Sequence, residues 1–146
     1  MVTTARFKNV ITTEEELREQ LGWPSERTRN KTISALDQHC RDLIAASPMA
    51  FLATTNADGT VDVAPKGDPA GFVSVLDDNT IVIPDRPGNK RFDGLTNIFT
   101  NPGVGMIFVI PGMRETLRVN GTATIVRDPE LLESLAVDGK LPWLAI

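Results

Sequence analysis

Apolar positions along the chain change period part-way, and the change divides it into a helical beginning and a strand-rich remainder. Leu17 and Leu21 form an i, i+4 pair behind Thr13 and Glu16, a capping-box spacing, and Gly22 and Pro24 end that first helix. A second helix is expected over residues 25–46. Ile33, Leu36, Cys40, Leu43 and Ile44 repeat at helical spacing, its first half is polar all round, and Ser47-Pro48 stops it. From residue 50 the period falls to two. Residues 50–55 and 61–64 read as a hairpin about Asn56-Ala57-Asp58-Gly59, followed by a loop from Pro65 to Gly71 dense in Pro and Gly. Residues 72–76 and 80–83 form a second hairpin about Asp77-Asp78-Asn79. A sharp loop at 84–88 leads to a short helix over 89–100, ended by Asn101-Pro102-Gly103. The unbroken apolar run 104–110 predicts a strand buried on both faces. In the strand at 115–126, Leu117, Val119, Ala123 and Ile125 alternate with polar positions that include Thr116, Arg118, Asn120 and Thr122. Asp128 introduces a helix over 129–136, and residues 141–146 read as the start of a strand cut short.

Helices followed by hairpins predict a mainly β, α+β fold rather than a parallel sheet, and six or more strands in so short a stretch would close most easily as a small antiparallel barrel. The expected organisation is a single domain, with a helical segment at 1–47 packed on a barrel at 48–146. The chain has 146 residues, enough for one core without staples, and its 41% hydrophobic and 23% charged composition is that of an ordinary globular protein. A net charge of −4 gives no pull toward nucleic acid or an anionic membrane. No apolar run approaches the length of a membrane span, and residues 1–10 lack the apolar core of a signal peptide, so a cytoplasmic setting is expected. One Cys and one His leave no disulfide and no multi-Cys or two-His metal site, so no metal is expected.

The strongest local signal is Asp85-Arg86-Pro87-Gly88-Asn89-Lys90-Arg91, between a strand end and a helix. On this reading Lys90 and Arg91 fall in the first helical turn, where the helix dipole disfavours cations. A bound phosphate would relieve the conflict; the alternative is two solvated side chains partly neutralised by Asp85 and Asp93. Lys66 in its Gly/Pro loop is either a ligand contact or a plain surface residue, and Arg118 either faces solvent or lines a polar crevice with Thr116. His39 and Cys40 are helix neighbours that diverge by about a hundred degrees, so they make no nucleophile–base pair. Asp77-Asp78-Asn79 is a turn, without the Gly and distant Glu of a calcium loop. With no assembled catalytic set, any redox chemistry would rest on a cofactor.

Taken together, Phe51 to Gly59, Ala64-Pro-Lys-Gly-Asp-Pro-Ala-Gly-Phe72, Thr80-Ile-Val-Ile-Pro-Asp-Arg-Pro-Gly-Asn-Lys-Arg91, Asn101-Pro102 and Leu117-Arg-Val-Asn-Gly121 resemble the pyridoxamine 5′-phosphate oxidase-like family of FMN-binding split β-barrels. The resemblance spans about residues 30–140. It implies a homodimer with FMN at the subunit interface, flavin-dependent oxidoreduction of a small molecule, and NADH or NADPH as a possible donor. Carried over, Ala64, Pro65, Lys66 and Gly67 flank the isoalloxazine, with Ile83 and Pro84 beside them. Asn89, Lys90 and Arg91 hold the phosphate, and Thr116 and Arg118 of the partner subunit reach toward the flavin. The family's oxidase has Arg where this chain has Ala64 and Arg-Lys where it has Asn89-Lys90, and it grips pyridoxal phosphate partly through a Tyr, a residue this chain lacks. Vitamin B6 oxidation is therefore not expected. Flavin or pyridoxal phosphate storage, and a haem-binding split barrel, are the alternatives.

Overall fold

The computed structural model describes residues 6–146; the first five residues of the helical segment expected at 1–47 lie outside the described residues. The chain divides into two units, Met1–Ser34 and Ala35–Ile146.

The first unit carries α1 (Glu14–Leu21) and α2 (Glu26–Arg29). Thr13 caps α1 by accepting from the Glu16 N–H, and Gly22 ends it at φ +74°. Glu16 reaches back to the Thr12 N–H at 2.8 Å rather than to that of Thr13, so the reciprocal half of the cap sits one residue early. That hydrogen bond holds the Glu16 carboxyl below its ordinary pKa.

The single helix expected over 25–46 is two helices in different units. Asn30 ends α2, and α3 (Gln38–Ala46) begins afresh where the Asp37 carboxylate accepts from the Cys40 N–H at 2.9 Å. The intervening polar stretch has no apolar stripe to bury, and Ile33 is exposed. Cys40, Leu43 and Ile44 form the buried face of α3, as their spacing requires.

The second unit is built on β1 (Met49–Thr55), β2 (Val61–Gly67), β6 (Gly103–Val109) and β7 (Thr116–Thr122), an antiparallel sheet in the order β2-β1-β6-β7. Three residues more than expected join β2, so Pro65 lies in a strand. Its missing N–H is tolerated because β2 is at the sheet edge. The short strands are β3 (Ser74–Val75), β4 (Ile81–Val82), β5 (Pro84–Asp85) and β8 (Leu144–Ala145). β3 pairs with β4, and β5 with β8. Between them lie α4 (Asp93–Thr100) and α5 (Pro129–Ser134).

The fold is therefore α+β, an antiparallel sheet with flanking helices. The expected closed barrel is not formed among the described residues: there are three separate sheets, and the second hairpin and the C-terminal strand contribute two-residue strands too short to bridge the edges of the main one. No helix of the described residues is long and apolar enough to cross a membrane.

Register decides what each sheet face carries. Leu52 lies opposite Ala64 and Met106, and Met106 opposite Val119, so these side chains share the inner face. There they meet Phe72, Val73, Leu95, Ile98, Phe108 and Ile146 in the main core. α4 packs over β1 and β2 on this side. The outer face carries Phe51, Ala53, Val63, Ile107 and Val109. These remain partly or largely exposed, so β6 is buried on one face only, against the expectation of two. No further layer of this unit covers that face.

Candidate functional site

A cavity of about 550 Å³ opens beside β2. Six consecutive residues of that strand, 62–67, border it, as happens when the free edge of a strand faces a cavity. The other walls come from Leu52 and Thr54 of β1, from Pro84 and Asp85 of β5, from the loop leading to α4, from the start of α4, and from Ile146. The volume is within the range of about 300–1,000 Å³ typical of small-molecule and cofactor sites.

Its electrostatics follow from which cations are already paired. Lys66 Nζ donates to Asp85 Oδ1, with both side chains largely buried. Arg86 Nε donates to Asp68 Oδ2 at 2.5 Å, and its other nitrogens donate to the carbonyls of Lys140 at 3.2 Å and Leu135 at 2.8 Å. Arg91 pairs with Asp93 at 2.7 Å. Lys90 makes no salt bridge among the described residues; its ammonium rests 5.8 Å from the ring centroid of Trp143. Trp143 also packs against Phe92, at 6.2 Å between centroids.

The helix expected from residue 89 starts at Asp93. Lys90 (φ +61°) and Phe92 (φ +58°) adopt left-handed conformations that a right-handed helix excludes, and Phe92 sits at the cap position without a side-chain cap bond. Lys90 and Arg91 therefore precede the helix, and the conflict between first-turn cations and the dipole does not arise; the first turn carries Asp93. Lys90 and Phe92 at positive φ flank Arg91, an alternation of backbone sign that also occurs in anion-binding backbone nests. The Asn89 side chain fixes this turn by accepting from the Arg91 N–H at 3.0 Å, so that N–H is already engaged. Two non-glycine residues held at positive φ within three positions represent strain of order 1–2 kcal/mol each, a pattern that gathers at ligand sites.

Among the residues singled out from sequence, Ala64, Pro65, Lys66, Gly67, Pro84, Asn89, Lys90 and Arg91 all line this cavity. Ile83 does not: it is core, bonded through both backbone groups to Ile146. Thr116 and Arg118 do not either. Arg118 lies opposite Ile107, on the outer face and at the far edge of the sheet from β2. His39 is exposed on α3, 3.9 Å from Glu115 and outside the lining. Cys40 is buried, and burial pushes its thiol pKa up, which makes it a poor nucleophile. The described residues contain no cluster of three or more His, Cys, Asp or Glu side chains suited to a metal.

Thr54, Asp62, Phe92 and Gly94 also line the cavity without a signal in the sequence, and Asp85 and Arg86 line it too, flagged within the cationic run but given no ligand role there. Asp85-Arg86 follows an apolar strand and mirrors the charges of Lys66 and Asp68. Gly94 brings α4 close to β1 and β2, since a Cβ there would sit 3.3 Å from Asp62 Oδ2 and 3.5 Å from Thr54 Oγ1.

The site is thus a cofactor-sized cavity at the edge of an antiparallel sheet, bordered by a loop that carries Arg86, Lys90 and Arg91, in an α+β protein. The family model described as pyridoxamine 5′-phosphate oxidase matches residues 36–141, and the chain belongs to that family. Solved structures with the same fold include a proposed pyridoxamine 5′-phosphate oxidase from Lactobacillus delbrueckii, at 21% identity over 78% of this chain and 88% of that one, with a TM-score of 0.60. Tagged HupZ from Group A Streptococcus matches at 24% identity over 75% and 85%, with a TM-score of 0.58. An FMN-binding protein from Syntrophomonas wolfei matches at 14% identity over 90% of each chain, with a TM-score of 0.56. At these identities the likeness is one of fold. No curated protein matches the sequence.

Proposed function

We propose that this protein binds FMN in the cavity beside β2 and serves as a flavin-dependent oxidoreductase acting on a small molecule. One observation carries the reading: a cofactor-sized cavity assembled from residues 62–67, 84–86 and 88–95, with Lys90 making no salt bridge among the described residues and both Lys90 and Phe92 held at positive φ. The residues suit the group. Asn89, Lys90 and Arg91 line the cavity and offer an anion the Lys90 ammonium with the Asn89 amide and Arg91 guanidinium beside it, while Leu52, Ala64, Pro84, Leu95 and Ile146 give apolar wall for a ring system. FMN would supply hydride or electron transfer. The chain's own part is to bind, orient and exclude water. Ala64, Pro65, Lys66 and Gly67 flank the ring, with Pro84 beside them.

The exposed apolar outer face supports a homodimer. A second copy closing on Phe51, Val63, Ile107 and Val109 would bring Thr116 and Arg118 of the partner subunit toward the cavity. In this reading the protein forms a split barrel of the FMN-binding type, works in the cytoplasm, and takes electrons from NADH or NADPH.

The test is the visible spectrum after FMN addition and dialysis, repeated for Lys90→Ala. Retained flavin that the variant holds about tenfold less tightly is the expected result. No retention by the wild type, or equal affinity in the variant, refutes the assignment. Reduction of the bound flavin by NADH or NADPH then separates an oxidoreductase from a storage protein.

A further inference from the structure

The cavity contains one buried ion pair that phosphate binding does not use. Lys66 and Asp85 are joined Nζ to Oδ1; their side chains are 16% and 11% exposed, and both residues line the cavity. They belong to different sheets, β2 and β5. A second bridge lies alongside, Asp68 to Arg86, and Arg86 is itself fixed by the Leu135 and Lys140 carbonyls.

The pair also has a defined place relative to a bound phosphate. The start of α4, just after the loop that carries Lys90, abuts Asp62 at one end of β2, through Gly94. Asp62, Ala64 and Lys66 share the inner face of that strand. Four residues of extended chain separate Asp62 from Lys66, about 13 Å. A ligand whose phosphate is held at Lys90 and whose chain runs along β2 therefore brings its ring to the Lys66 end. An ammonium has three donors, and Asp85 occupies one; the others are available to an acceptor on the ring.

We propose that Asp85 is a positioning residue for the redox behaviour of the cofactor. It holds the Lys66 ammonium at the ring and, by its own charge, offsets part of the field that Lys66 exerts there. The inference rests on the FMN reading. A flavin ring reduced by two electrons carries negative charge near N1, so a nearby cation favours the reduced form and a nearby anion disfavours it. The two members of the pair must therefore act with opposite sign.

Asp85→Asn and Lys66→Gln each remove one charge and leave a hydrogen-bonding amide in its place. Affinities for oxidised and reduced FMN are measured for both variants, with circular dichroism as the check on folding. Asp85→Asn is expected to raise the preference for reduced over oxidised flavin about tenfold, a potential increase of about 30 mV for a two-electron couple. Lys66→Gln is expected to lower it by a similar factor, and Lys66→Arg, which keeps charge and pair, to leave it near the wild-type value. A purely structural pair would weaken both affinities together and leave their ratio unchanged. Shifts in the same direction, or no shift in the ratio, overturn the proposal, and each single variant decides its own sign if the other fails to fold. If wild-type protein binds no FMN, the cofactor reading itself fails. If it binds and the ratios do not separate, only the role of Asp85 falls.

Discussion

Replacing Arg86 by Ala removes three contacts from one side chain: the bond to Asp68 at 2.5 Å and the donations to Leu135 O at 2.8 Å and Lys140 O at 3.2 Å. The first joins two charges, and hydrogen bonds to charged groups contribute about 1.5–3 kcal/mol where water is excluded. Arg86 and Asp68 side chains are 23% and 18% exposed, so the lower end of that range applies. The bonds to carbonyls add about 1 kcal/mol between them, because Lys140 is exposed and its carbonyl recovers water. The expected loss is about 2–3 kcal/mol, or roughly 7–10 °C in melting temperature for a chain of this size. Urea unfolding followed by far-ultraviolet circular dichroism measures it. Amide exchange adds location: Ile83, Trp143 and Ile146, whose N–H groups bond across the β5–β8 pair, should lose protection first, together with Ala145, whose N–H donates to the Val126 carbonyl. Arg86→Lys keeps charge but not the fork, and should recover about half of the loss. A loss below 0.5 kcal/mol in Arg86→Ala, or unchanged protection at those amides, would refute the view that this guanidinium ties the C-terminal segment to the cavity wall.

Gly71 has φ +82°, and a Cβ there would meet the Ala45 carbonyl oxygen at 3.0 Å, so Gly71→Ala should cost about 1–3 kcal/mol by urea titration. Asp37 caps α3, and its bond from the Cys40 N–H holds the carboxyl below its ordinary range. A depressed carboxylate stabilises the fold above the unfolded pKa of about 3.9 and loses that contribution as pH falls through the lower, folded value. Asp37→Asn should therefore flatten the fall in stability as pH drops below about 4, read from urea midpoints at each pH. Cys40 should react slowly with a disulfide reagent at pH 8 in the folded protein and rapidly in urea; fast reaction in buffer would contradict its burial.

The strands and the cavity-lining segments were legible in the sequence for different reasons. Alternation revealed β1 and β7 because each buries one face, and the same rule set Leu117 and Val119 inward. It failed for β6 because a run of apolar residues looks the same whether its outer face is covered by the same chain or left exposed. The helix start at residue 89 was misread because Lys90 and Phe92 hold positive φ, a conformation that neither side chain advertises. Lys66 and the segment 89–91 were flagged by Gly, Pro and cation content, whereas Ala64, Pro65 and Gly67 were assigned only through the family resemblance. Ile83 was misplaced by one residue of strand parity: its neighbour Pro84 faces the cavity while Ile83 faces the core. Asp85 and Arg86 were legible only as charges, since their partners are set by tertiary contact between two sheets. Arg118 lies where its alternation put it, and the meaning of that face depends on what covers it.

The main sheet and the β5–β8 pair share no backbone ladder, so no hydrogen-bond register aligns β2 with β5. The alignment is written in charge order instead. Lys66 and Asp68 read plus then minus; Asp85 and Arg86 read minus then plus. Slide one segment and at least one bridge is lost; reverse it, so that Lys66 faces Arg86 and Asp68 faces Asp85, and both become repulsions between largely buried like charges. Four side chains thus act as a key that admits one placement of the two sheets, and with it one width for the opening between them.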